Sequence, residues 1–133
     1  MRIAISYLQN RISPVFDVAA RILLVDIDKG QEKRRNERTV VHSDSLARAQ
    51  YVSQLGVQVL ICGAISWRLE NALSSTGVQV IACICGPVDD VLKAFLKDKL
   101  SESAFIMPGC LCRRQPFKYK REGAMEKPII NSG

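Results

Sequence analysis

Five cysteines carry most of the chemistry that this 133-residue sequence offers. Cys83 and Cys85 form one Cys-x-Cys pair, Cys110 and Cys112 form a second, and Cys62 stands alone before Gly63. In an extended chain, residues i and i+2 point the same way and lie ~6.6 Å apart. That separation is awkward for a disulfide but workable for two ligands of one cluster. Four thiolates complete an iron–sulfur or a tetrahedral metal site. Cys85, Cys110 and Cys112 are the best three ligand candidates, and Cys62 is the fourth.

Packing is the competing explanation, because free cysteine is among the most buried residue types. Cys62 and Cys83 both end apolar stretches. For Cys83, core filling is the better reading; for Cys62 the two readings weigh evenly. The spacing matches no standard zinc or ferredoxin pattern. His42 is the only histidine, and an exposed position suits it better than metal ligation. Trp67 reads as a packing residue.

Other chemistries find less support. The sequence has no Walker-type phosphate loop, no dinucleotide fingerprint and no nucleophile elbow. Asp17, Asp26 and Asp28 are the acids available for a metal-dependent nuclease, yet the opening stretch Arg2–Tyr7 has none. Two-metal phosphoryl chemistry needs convergent carboxylates, so a non-catalytic role is expected. The chain opens on a strand pattern rather than a signal peptide, and no apolar run approaches the ~18 residues of a membrane span. The expected compartment is the cytoplasm, where cysteines stay reduced.

The formal net charge is +6, and it is concentrated in two places. One is the stretch from Lys29 to Arg38. The other is the end of the chain, with Arg113, Arg114, Lys118, Lys120 and Arg121. Residues 113–133 read as a basic, disordered tail and residues 1–112 as one domain. Such a tail reads first as a solvated end; the alternative is docking to an acidic protein partner. Nucleic-acid binding, with Phe117 and Tyr119 stacking on bases, ranks last because no recognition motif accompanies it.

The elements that must position the cysteines follow from hydrophobic period. Residues 2–7 predict a first strand and residues 9–14 a loop. Residues 21–27 are a near-continuous apolar run, as in a buried central strand. Asp28-Lys29-Gly30 is a turn, followed by a charged edge strand through Val41. Ser43 or Asp44 caps a helix with Leu46, Ala49, Val52 and Leu55 inward, ended by Gly56. Residues 57–62 form a strand. Ser66 caps a helix with Leu69, Ala72 and Leu73 inward, ended by Gly77. Residues 78–82 form the next strand. Pro87 opens a third helix at its first position, with Val91, Leu92, Phe95 and Leu96 inward. Right-handed crossovers make the later strands parallel to the first. The expected fold is a three-layer α/β domain on a mixed five-stranded sheet. Cys62, Cys83 and Cys85 then lie at the carboxyl ends of parallel strands, where open α/β sheets place ligands. Cys85 also precedes a helix N-terminus, which favours the thiolate form that binds metal.

Several segments resemble one family. Arg11-Ile12-Ser13-Pro14-Val15-Phe16-Asp17-Val18-Ala19 and Met107-Pro108-Gly109-Cys110 are the most specific. Cys62-Gly63-Ala64-Ile65, Gly77-Val78-Gln79-Val80-Ile81 and Cys85-Gly86 support them. Over roughly residues 1–112 the sequence resembles the dinitrogenase iron–molybdenum cofactor biosynthesis family. The resemblance implies an RNase H-like fold without nuclease activity. It also implies binding of an iron–molybdenum-type cofactor or an iron–sulfur precursor, passed between metal-cluster assembly proteins. The motif match carries to Cys110 and, with less specificity, to Cys62 and Cys85. No family ligand motif falls on His42.

Overall fold

The computed structural model describes residues 1–42, 44–98 and Phe105. Two apolar-rich strands near the chain's start set the architecture. Strand β1 (Arg2–Leu8) buries Ile3, Ala4, Ile5 and Ser6 on both of its faces, so it must lie inside the sheet. A two-residue strand β2 (Arg11–Ile12) folds back antiparallel on β1. A 3₁₀ turn at Phe16–Val18 follows. Strand β3 (Arg21–Asp28) is buried from Ile22 to Val25 and pairs antiparallel with β1. Strand β4 (Gln31–Thr39) returns antiparallel along β3 as a charged outer edge.

The remaining units alternate helix and strand: α1 (Ser45–Gln54), β5 (Val59–Ile61), α2 (Trp67–Ser75), β6 (Gln79–Ile81) and α3 (Val88–Leu96). β5 pairs parallel with β1, and β6 pairs parallel with β5. The sheet order is β4-β3-β1-β5-β6, with β2 beside β1. One sheet face packs Leu24, Leu60 and Cys62 against Ala49, Val52, Leu69 and Leu73 of α1 and α2. The other packs Ile3, Ile5, Val25 and Ile61 against Val88, Val91, Leu92 and Phe95 of α3. This is the expected α/β layering.

Among the described residues the sheet has six strands rather than the five expected. The extra strand is β2, inside the segment read as a loop; two residues are too few to show a period. The charged edge strand ends at Thr39 instead of reaching Val41. Pro87 is the N-cap of α3, with extended backbone at φ −64° and ψ 141°, and the helix starts at Val88.

Two large side chains face the solvent against expectation. Leu46 is 58% exposed and Trp67 is 78% exposed. The buried stripe of α1 is Arg48, Ala49 and Val52, and that of α2 is Leu69 and Leu73. Leu46 precedes Arg48 by two positions and Trp67 precedes Leu69 by two. At 3.6 residues per turn, two positions are about 200° around the helix.

Arg48 is the residue that moves the α1 stripe. Its side chain is buried, and its Nη1 donates to the carbonyls of Ala19 at 2.7 Å and Phe16 at 3.3 Å. The guanidinium carbon sits 5.6 Å from the Phe16 ring centroid, a cation–π placement. Burial lowers its pKa from the ordinary arginine value, and the charge of Asp17 acts the other way. Replacing it by Arg48→Met keeps an apolar stem but strands the Ala19 carbonyl, while the Phe16 carbonyl keeps the Ala19 amide as donor. The expected cost is ~1–3 kcal/mol, read as a lower urea midpoint with an unchanged slope.

Candidate functional site

The carboxyl ends of the parallel strands β1, β5 and β6 run into three segments that lie against one another. The first, residues 9–18, is stitched to both others. The Ile12 amide donates to the Gly86 carbonyl at 3.0 Å, and the Val88 amide donates to the Asn10 carbonyl at 2.9 Å. On the other side, the Phe16 amide donates to Ala64 and the Ala64 amide to Pro14, both at 2.8 Å. Between the second and third segments, the Cys83 amide donates to Gly63 at 2.9 Å and the Ile84 amide to Cys62 at 3.0 Å.

Gly63 is the closest point of approach. A Cβ built there would clash with the Ser13 carbonyl oxygen and lie 2.5 Å from that of Pro14. No side chain larger than hydrogen fits without moving the backbone. The next residue on that side, Ser66, caps α2 with its own hydroxyl and donates its amide to the Asp17 carboxylate at 2.7 Å. Asp17, one of the acids considered for nuclease chemistry, thus holds a backbone amide.

The structure separates the cysteines of this edge. Cys62 and Cys83 are buried in the core on the α1–α2 face, and Cys83 fills that core as expected. Cys83 takes a left-handed backbone, φ 65°, uncommon for a residue with a Cβ. Its neighbour Ile84 belongs to the core on the α3 face, so the chain crosses from one face to the other here. Cys85 is half-buried and joined to no disulfide. Its amide donates to the Phe105 carbonyl at 2.9 Å. Phe105 Cδ1 also lies 3.7 Å from where a Cβ on Gly86 would stand.

Cys110 and Cys112 lie outside the described residues, as does the basic stretch 113–133. Among the described residues no three His, Cys, Asp or Glu side chains come together as a metal site. His42, expected to be exposed, is instead half-buried with its ring 5.4 Å from that of Tyr51. Among the described residues no helix is long and apolar enough to cross a membrane.

Sequence reasoning missed Gly63, Arg48 and the role of Asp17. The signal for Gly63 was its place at a strand end beside Cys62. For Arg48 it was a spacing of one and four residues from Ala49 and Val52, which puts it on the buried stripe. The tie from Cys85 to Phe105 had no sequence signal.

Fold and site together define a small α/β domain with a half-exposed thiol at the carboxyl edge of its parallel strands. The chain belongs to the dinitrogenase iron-molybdenum cofactor family, whose model matches residues 1–98. An uncharacterized protein of Methanocaldococcus jannaschii, MJ0580, is 25% identical over 107 residues, covering 77% of this chain and 91% of its own. The crystal structure of the protein PH0822 superposes with a TM-score of 0.70 at 23% identity, over 74% of this chain and 93% of that one. The apo form of the orange protein from Desulfovibrio gigas superposes with a TM-score of 0.63 at 22% identity, over 74% and 88%. For the two solved structures the likeness is one of fold.

The Gly63 contact generates a sharp expectation. Gly63→Ala should cost ~3 kcal/mol or more, because backbone on both sides must move. Gly56→Ala is the control: nothing lies within 4 Å of its Cβ position and φ is +77°, so it should cost only the ~1–2 kcal/mol of a left-handed residue. Thermal or urea unfolding of the two variants compares them directly, and equal losses would refute the close-approach argument.

Proposed function

We propose that this chain binds a metal–sulfur cluster of the iron–sulfur or iron–molybdenum type as cargo. It hands that cargo to other cluster-assembly proteins in the cytoplasm and catalyses no reaction. The scaffold is taken as RNase H-like without nuclease chemistry, in keeping with the absence of any acid in β1. Family membership supports a role in iron–molybdenum cofactor assembly.

The observation that carries the reading is the tie between Cys85 and Phe105, 2.9 Å from amide to carbonyl. Cys110 follows Phe105 by five residues, a length of chain that spans at most ~18 Å. That length of chain would let Cys110 come to the half-buried Cys85, with Cys112 two residues further on. In this proposal Cys85, Cys110 and Cys112 are the ligands. Soft thiolates are the donors that select iron–sulfur clusters. Arg113 and Arg114 would offset the negative charge of a thiolate-bound cluster. Cys62 is the fourth candidate, and because it is fully buried the segment around it would have to open for it to bind.

Anaerobic reconstitution with iron and sulfide, followed by absorption spectroscopy and iron analysis, tests this. The unaltered chain should hold stoichiometric iron and show a charge-transfer band. Cys85→Ser and the double variant Cys110→Ser with Cys112→Ser should each lose most of both, while keeping the thermal midpoint of the parent. A colourless, iron-free parent protein would sink the reading, and full iron in the double variant would remove that pair from the site.

A further inference from the structure

Large apolar side chains that face solvent are ordinary when scattered, but on this molecule they are gathered. Leu8, Val15, Val18, Val41, Leu46 and Trp67 are the exposed ones among the described residues. All lie at the edge where β1, β4 and β5 end and where α1 and α2 begin. Backbone bonds join most of them into one strip. Val15 bridges Ala64 in parallel register. Two residues further on, Asp17 accepts from the Ser66 amide, so Val18 and Trp67 flank that bond. The Val40 amide donates to the Ala20 carbonyl at 2.7 Å, which brings Val41 up to the same loop. Leu46 follows in the first turn of α1.

An apolar strip collected at one end of a domain marks a docking surface. Acids stand beside it. Asp17 precedes Val18, Asp44 comes two residues before Leu46, and Glu70 lies one helical turn from Trp67. None of these acids enters an ion pair among the described residues. Arg68 is the exposed base nearby. The occupant that suits such a surface is aromatic and basic.

The chain itself carries a segment of that kind, Pro116-Phe117-Lys118-Tyr119-Lys120-Arg121. The way to it leads through Phe105, whose carbonyl accepts from the Cys85 amide at this same edge. Phe117 follows Phe105 by twelve residues, a length that spans at most about 40 Å. From β6 across to β4 the sheet is four strand spacings wide, about 20 Å. Every point of the edge is therefore within the tether. A tether of this length holds the segment at a ~millimolar effective concentration. A separate protein of the same chemistry would need that concentration in solution to compete.

We infer that residues 116–121 of this chain dock on the strip. The rings of Phe117 and Tyr119 lie on Val18, Leu46 and Trp67, and the basic side chains meet Asp17, Asp44 and Glu70. A strip covered in this way is withheld from other proteins until the segment is displaced. The assignment needs no metal and stands apart from the cluster reading.

Trp67 is the chain's only tryptophan, so its emission reads the strip directly. The test compares acrylamide quenching of Trp67 in the full chain and in the double variant Phe117→Ala with Tyr119→Ala. A segment of ~millimolar affinity at a ~millimolar effective concentration is docked about half of the time. Removing its rings should then raise the quenching constant by up to about twofold and move the emission to longer wavelength. A synthetic peptide of residues 115–122, added in excess, should return the variant to the parent's value. Equal quenching of parent and variant would overturn the assignment and leave the strip open to another protein. Protection that fades as the parent is diluted would overturn it in favour of a second copy of the chain. A peptide without effect on the variant would also overturn it.

Discussion

Everything at the carboxyl edge of the sheet depends on one contact in which a side chain has no room. The backbone of Gly63 lies against the carbonyls of Ser13 and Pro14. That approach lets residues 13–16 pair with Ala64 as though the strands continued past their ends. Once the segment lies flat, Asp17 reaches the amide of Ser66, the N-cap of α2, and Arg48 reaches the carbonyls of Phe16 and Ala19. A long loop between β1 and β3 is thereby fixed at both flanks, without a disulfide. Backbone groups that would otherwise be orphaned by burial are each given a partner.

The parts legible in the sequence were those with a strong period or a strong punctuation residue. β3 announced itself by an unbroken apolar run, and α2 by a serine cap at one end and Gly77 at the other. β2 could not be seen, since a two-residue strand has no period to detect. Leu46 and Trp67 were misplaced for a related reason. Leu46 was placed inward by its spacing of three from Ala49, but the buried stripe runs through Arg48, Ala49 and Val52 and leaves it outside. Trp67 was read as packing, yet it stands about 200° from Leu69. Arg48 was passed over because a charged residue is expected outside, and only its phase says otherwise. Where polarity and phase disagree, phase decided in this fold.

The cysteine pattern was legible in position but not in orientation. Sequence spacing placed Cys62, Cys83 and Cys85 at one edge, and they are there. Which way each thiol points depends on the backbone at Cys83. Its left-handed turn puts Cys83 in one core and Ile84 in the other, leaving Cys85 half-buried. A simple alternation rule for extended chain would have put Cys83 and Cys85 on the same side. The Cys-x-Cys motif here therefore yields one cysteine buried in the core and one half-buried beside it.

The position of β1 between β3 and β5 has a consequence for how the molecule comes together. β1 meets β3 about twenty residues later, but its other neighbour arrives only with Ile3 opposite Val59 and Ile5 opposite Ile61. Closing so long a loop costs entropy before the pairing returns anything, and such non-local topology slows folding. As the chain emerges from the ribosome, the β1–β3–β4 meander can assemble early while the inner edge of β1 waits open. β1 is made before the other strands of this sheet yet is among the last to be enclosed, and the edge at its carboxyl end matures only after α3 has been synthesised.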